Sequence, residues 1–177
     1  MNAVDEQTRP GVGNEEYRIP KVAVPVRLCL DGGHEVEGSL YLLPVAGTHV
    51  GRERVVDLLA CPDNQFVPLC GPDRVRLIHQ TRIVIAWIYE AEDGDTAPVE
   101  MAAPELAGEA LEIPVELELA GVPKKARRLS GRIHLVMPPG QQRVIDFLNR
   151  SEPFFTLETD DGIALVNKRY LLDLWQS

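Results

Sequence analysis

Val24, Val26, Leu28 and Leu30 alternate with Pro25, Arg27 and Cys29 near the start of the chain. A period of two predicts a strand with one buried face. Pro25 has no amide hydrogen, so this end is expected at a sheet edge or a strand start. Asp31-Gly32-Gly33 then predicts a tight hairpin. The return strand alternates again, with Val36, Gly38, Leu40 and Leu42 on the apolar side and Glu37, Ser39 and Tyr41 on the other. A glycine on the apolar side fits a sharp bend or a close backbone approach. The period changes at Val55, Leu58 and Leu59, whose i, i+3, i+4 spacing predicts a short helix. Residues 66–69, 75–78 and 83–89 read as three more strands, with His79-Gln80-Thr81-Arg82 as a single 3₁₀ turn before the last.

The whole pattern then returns. Residues 24–30 reappear as 113–119, and Gly51, Arg54, Val55, Asp57 and Leu59 as Gly140, Arg143, Val144, Asp146 and Leu148, both displaced by 89 positions (113 − 24; 146 − 57). Val75, Leu77, Ile78, Ile83 and Trp87 match Ile163, Leu165, Val166, Leu171 and Trp175, displaced by 88 (175 − 87). Such an internal repeat fixes the architecture before anything else. Each copy reads β-β-α-β-β-β. The expected fold is mainly β: two tandem SH3-like or Sm-like small barrels packed as a pseudo-twofold pair, with an open α+β sheet as the competing arrangement. The expected boundaries are a disordered tail (1–20), a first repeat (21–93), a linker (94–111) and a second repeat (112–177). Units this small are marginal alone, so the copies are expected to pack together.

Composition adds little to fold class: 45% hydrophobic and 25% charged residues are ordinary for a globular protein. The net charge of −9 is more informative, because −6 of it falls on the tail (−2) and the linker (−4). Acidic segments repel phosphate backbones, which disfavours a nucleic-acid partner. Cys29, Cys61 and Cys70 show no C-x-x-C spacing and read as reduced thiols. Residues 1–20 lack an apolar signal core, and no apolar run approaches the ~18 residues of a membrane span. A cytoplasmic protein that does not enter a membrane is expected.

A feature shared by both copies serves the fold, whereas a function present once belongs where they differ. Arg54/Arg143 with Asp57/Asp146, Gly38/Gly131 and Trp87/Trp175 are therefore read as architectural. The first hairpin differs most: the second copy inserts four residues there and carries Lys124, Lys125, Arg127 and Arg128. That cluster is a candidate for a phosphate or an acidic partner, although no aromatic residue is interleaved to stack a base; a solvated hairpin tip is the plainer reading. Tyr41, Tyr89, Tyr170 and Phe155 have no aromatic counterpart and are candidates for exposure, while Phe66, Phe147, Phe154, Trp87 and Trp175 are expected to be buried. Tyr41, His134 and Tyr170 join the four cations as candidate binding residues. The histidines show no metal-ligand spacing, and no nucleophile–base pattern or phosphate loop occurs. No catalytic residue, metal or cofactor is expected.

Gly38-Ser39-Leu40-Tyr41-Leu42, Arg54-Val55-Val56-Asp57-Leu58-Leu59 and Phe66-Val67-Pro68-Leu69 form a G-x-L-x-L … R-x-x-D-x-L … F-x-x-L pattern. The second copy repeats it through Gly131, Ile133, Leu135, Arg143, Asp146, Leu148, Asn149, Phe154 and Leu157. In this it resembles a small uncharacterised bacterial domain with no assigned reaction; the first copy departs from it at Ala60, where the second has Asn149. The first hairpin is also similar to that of Sm-like proteins, but the helix lies inside the repeat instead of before it. The resemblance implies a fold and no activity. The expected function is a non-enzymatic adaptor or regulatory scaffold that binds a protein, with exposed strand edges available to a partner strand or to another copy. The alternative is an Sm-like nucleic-acid or nucleotide binder using the basic hairpin, and an enzyme with a site between the copies is a third reading.

Overall fold

The computed structural model describes residues 20–47, 51–89, 111–135 and 143–176. The expected tail, apart from Pro20, and the expected linker, apart from Leu111, lie outside the described residues, as does His49. The first half runs β1 (Val22–Leu30), β2 (His34–Leu42), α1 (Val55–Ala60), β3 (Phe66–Cys70), β4 (Val75–His79), a 3₁₀ turn (Gln80–Arg82) and β5 (Ile83–Ile88). The second runs β6 (Leu111–Leu119), a 3₁₀ turn (Lys124–Ala126), β7 (Arg128–Leu135), α2 (Val144–Leu148), β8 (Phe154–Thr159), β9 (Gly162–Asn167), a 3₁₀ turn (Lys168–Tyr170) and β10 (Leu171–Gln176).

Ten antiparallel strands form one sheet in the order β10-β6-β7-β8-β9-β5-β1-β2-β3-β4. The order within each half has the same form, β5-β1-β2-β3-β4 and β10-β6-β7-β8-β9. Two expectations are corrected. Neither half closes by hydrogen bonds: no pairing among the described residues joins β4 to β5 or β9 to β10, because the outer edge of β5 is taken by β9 of the other half. The halves are also not related by a pseudo-twofold. A twofold that pairs β5 with β9 would also pair β10 with β4, whereas these two strands stand at opposite ends of the sheet.

Local chemistry explains the elements. The β1–β2 turn places Gly32 at φ 94° and Gly33 at φ 81°, a region L-residues rarely adopt. Arg54 and Asp57 form a two-pronged ion pair at the start of α1, with Nε to Oδ2 at 3.0 Å and Nη2 to Oδ1 at 2.8 Å. Arg143 and Asp146 repeat it at α2, where the carboxylate raises the pKa of Arg143. The 3₁₀ turns before β5 and β10 are capped alike: the His79 Nδ1 accepts from Thr81 N–H, and the Asn167 Oδ1 accepts from Arg169 N–H. Gly38 lies where a Cβ would meet the Cys70 carbonyl oxygen at 2.6 Å, and Gly131 sits closer still to that of Glu158. These are the bends at which β2 crosses onto β3 and β7 onto β8.

Two cores result, and the halves exchange side chains through them. Phe154 and Leu165 of the second half pack into the first core with Leu28, Leu40, Leu59 and Leu69. Cys29, Val84 and Ile85 of the first half pack into the second core with Leu117, Ile133 and Leu157. A bulge enables this: the β1–β5 register shifts between Cys29 and Leu30, leaving Val84 without a partner on β1. Val84 and Ile85 therefore face one core while Ile83 and Ala86 face the other. Each leucine or isoleucine fully buried this way contributes about 1.5–3 kcal/mol.

Several burial expectations fail. Cys29 was assigned to the polar face of its strand but is buried under the second half. Phe155 is buried, whereas Phe66 and Trp175 are exposed. Repeat equivalence reports what each half needs by itself, and the seam covers the two halves unequally.

Candidate binding site

The outer face of β2, β1 and β5 carries a row of aromatic and proline side chains. Pro25 stands opposite Ser39, and Arg27 lies between Glu37 on β2 and Trp87 on β5. Tyr89, just past β5, donates its backbone N–H to the Pro25 carbonyl at 3.3 Å. Beside this row an open groove of about 680 Å³ is walled by Pro25, Tyr41, Tyr89, Pro72 and Cys70, with Glu37 also in its lining. Tyr41 and Tyr89 are both exposed. The Arg27 guanidinium lies 5.8 Å from the ring centres of both Trp87 and Tyr89, within cation–π range. Its Nε is buried and has no hydrogen-bond partner among the described residues. A buried donor without an acceptor is costly to leave so.

The second half has a groove at the equivalent place, built differently. It measures about 180 Å³ and is lined by Pro114, Arg132, Glu158 and Asp160 among others. His134 replaces Tyr41, Glu158 replaces Cys70, and the two bond to each other with Nε2 to Oε2 at 2.7 Å. Glu116 replaces Arg27, and Arg128 lies 5.9 Å from the ring centre of Trp175. This groove is small and charged where that of the first half is wide and aromatic.

The sequence-based candidates disperse. Lys124 and Lys125 lie exposed on the 3₁₀ turn of the β6–β7 loop. Arg127 pairs with Glu118 at 2.6 Å, and Arg128 covers Trp175. The inserted loop also serves the seam: Gly121 accepts a hydrogen bond from Gly32 N–H at 3.0 Å, and Pro123 packs beside Gly33. Tyr170 lies at the same seam, donating its hydroxyl to the Thr81 carbonyl at 2.9 Å. Partial burial, with Asp31 nearby, raises its pKa. Only Tyr41 of the seven candidates lines the large groove. Sequence reading missed Pro25 and Pro72 as its walls, although the unmatched Tyr89 was a signal toward it.

Among the described residues, no three His, Cys, Asp or Glu side chains gather closely enough to hold a metal ion, and no helix is long and apolar enough to cross a membrane. No protein-family model, curated protein or solved structure matches this chain.

Proposed function

We propose that this chain is a non-enzymatic interaction adaptor, built from two tandem SH3-like units, whose first half takes an extended, proline-containing peptide of a partner protein. The supporting observation is the open groove walled by Tyr41, Tyr89, Pro25 and Pro72. Flat aromatic walls suit the ridged surface of a polyproline-type strand, which enters with little conformational entropy left to lose. The groove at the equivalent place in the second half is smaller and charged, with the His134–Glu158 pair in place of Tyr41 and Cys70, so one peptide per chain is expected. A cytoplasmic scaffold of bacterial type accords with this reading. Nucleic-acid binding through the basic loop is the weaker alternative, because Arg127 and Arg128 already engage Glu118 and Trp175.

The test uses a panel of proline-rich peptides and proline-free controls, titrated against a Trp175→Phe variant in which Trp87 is the reporter. Saturable binding of proline-rich members, weakened at least tenfold by Tyr41→Ala or Tyr89→Ala with unchanged thermal melting, supports the reading. Failure of every peptide, or equal binding by both variants, overturns it.

A further inference from the structure

The seam inside this chain is also a description of its two free ends. β5 and β9 pair as Ile85↔Val166, Ala86↔Leu165, Trp87↔Ala164 and Ile88↔Ile163. β4 is the counterpart of β9 and β10 the counterpart of β5, and these two strands are the unpaired edges of the sheet. We propose that β4 of one molecule pairs with β10 of another in the register of the internal seam, so that copies of this chain assemble head to tail. Displacing the internal register by 88 positions gives Ile78↔Asp173, Leu77↔Leu174, Arg76↔Trp175 and Val75↔Gln176.

Exposure supports this residue by residue. Phe154 and Leu165, which enter the first core from the second half, are 3% and 0% exposed; their counterparts Phe66 and Leu77 are 52% and 69% exposed. The bulged Val84 is 0% exposed, and the register of β10 on β6 shifts at the same point, leaving Leu172 bulged and 55% exposed. Val56 on α1 packs at the edge of the first core, whereas its counterpart Ile145 on α2 is exposed. Large apolar side chains exposed at both edges are thus those that the internal seam covers. An unpaired edge that exposes such residues is a template for strand pairing.

The polar groups also correspond. Asn167 donates its Nδ2–H to the Ile83 carbonyl across the seam at 2.8 Å. Its counterpart is His79, which accepts from Thr81 N–H through Nδ1 as Asn167 accepts from Arg169 N–H. That assignment puts the ring hydrogen on Nε2, where it serves the Leu171 carbonyl of the next molecule, the counterpart of Ile83. Where the internal seam has Ala164 near Ile85, the external one places Arg76 near Asp173, an opposite-charge diagonal pair. An interface between unlike strands is heterologous and builds closed rings or open filaments, depending on the rotation per step.

This assembly does not rest on the peptide groove, whose wall at Tyr41 is on β2 and not on either edge strand, and Tyr41→Ala should leave it intact. The test is light scattering on the full chain and two edge variants, Val75→Lys/Leu77→Lys on β4 and Leu172→Lys/Trp175→Lys on β10. All four positions are exposed in the single chain, so circular dichroism should show both variants folded. The wild type is expected to associate in a concentration-dependent way. Each variant alone should be monomeric, and a mixture should form a two-chain species and nothing larger, because only one productive pair of edges remains. Arg76→Asp should weaken association at least tenfold, and Arg76→Asp/Asp173→Arg should restore it. A wild type that stays monomeric at high concentration, or an edge variant that still dimerises alone, would overturn the proposal.

Discussion

Asn167 reaches from the second half to the carbonyl of Ile83 in the first, Nδ2 to O at 2.8 Å, and is the one buried polar side chain among the described residues. It also accepts from Arg169 N–H through Oδ1, so a single amide caps a 3₁₀ turn and ties the two halves. Asn167→Ala would leave a buried carbonyl unpaired and should cost about 1–3 kcal/mol, read from urea denaturation. Asn167→Asp tests the direction of the bond. Its carboxylate would face the carbonyl oxygen with no hydrogen to give, but its protonated form restores a donor. The deficit relative to wild type should therefore shrink as pH falls through the carboxyl pKa.

The strands, the hairpin, the helices and the 3₁₀ steps were legible because each depends on neighbours in sequence. Gly38 and Gly131 were legible for the same reason, as they interrupt an apolar face at a fixed register. The seam was not read, although the chain carried a trace of it. Ile83-Val84-Ile85-Ala86 does not alternate, and neither does Ile163-Ala164-Leu165-Val166. Unbroken apolar runs belong to strands buried on both faces, and these are the two strands that meet. The groove was half legible: Tyr41 and Tyr89 stood out as unmatched, but their union depends on β2 and β5 both flanking β1.

Glycine at position 38 answers to backbone proximity, since its φ is not in the left-handed region. An alanine there would press on the Cys70 carbonyl and on Leu69 Cγ at 2.9 Å. Gly131 meets the Glu158 carbonyl and Leu157 Cγ in the same way. Gly38→Ala and Gly131→Ala should each cost about 1–3 kcal/mol, the range for overpacking a filled site. Hydrogen exchange should report the loss first at the Ser39–Cys70 and Arg132–Glu158 bridges, which are the only register points of β2 on β3 and of β7 on β8.

Cys29 gives the fold an alkaline weakness. Burial pushes its thiol above the ordinary 9.0, and Glu35 adds to the effect against Arg27. Above about pH 9 the unfolded chain releases the proton that the folded chain keeps, so stability falls as pH rises from the unfolded value to the folded one. Tyr170 acts in the same direction from 10.0 upward. Lys168 acts oppositely, because burial lowers its pKa below 10.5 and the cost of its charge is relieved as pH rises. Urea midpoints at neutral and alkaline pH should show a shallower decline for Cys29→Ala than for the wild type. A thiol reagent should modify Cys61 and Cys70 in the native protein well before Cys29, which is shielded from solvent.

The loop with four cations invites a phosphate-binding role, yet its anchoring comes from residues without charge. Gly121 has φ 76°, and a Cβ there would meet Asp31 Oδ1 at 3.0 Å and Tyr170 Cδ1 at 3.2 Å. Asp31 is also held by Arg82, Nη1 to Oδ2 at 3.3 Å, so the space is bounded by groups already committed to the seam. Gly121→Ala combines an unfavourable φ with this crowding and should cost more than about 1 kcal/mol. Lys124→Ala and Lys125→Ala should change stability by less than about 0.5 kcal/mol, as surface substitutions do. Arg127→Ala removes a partly exposed ion pair with Glu118 and should fall between them, at no more than about 1 kcal/mol. Thermal or urea melts of the four variants would rank them. A loop evolved around its charges would invert that order, with the lysines and Arg127 outweighing the glycine.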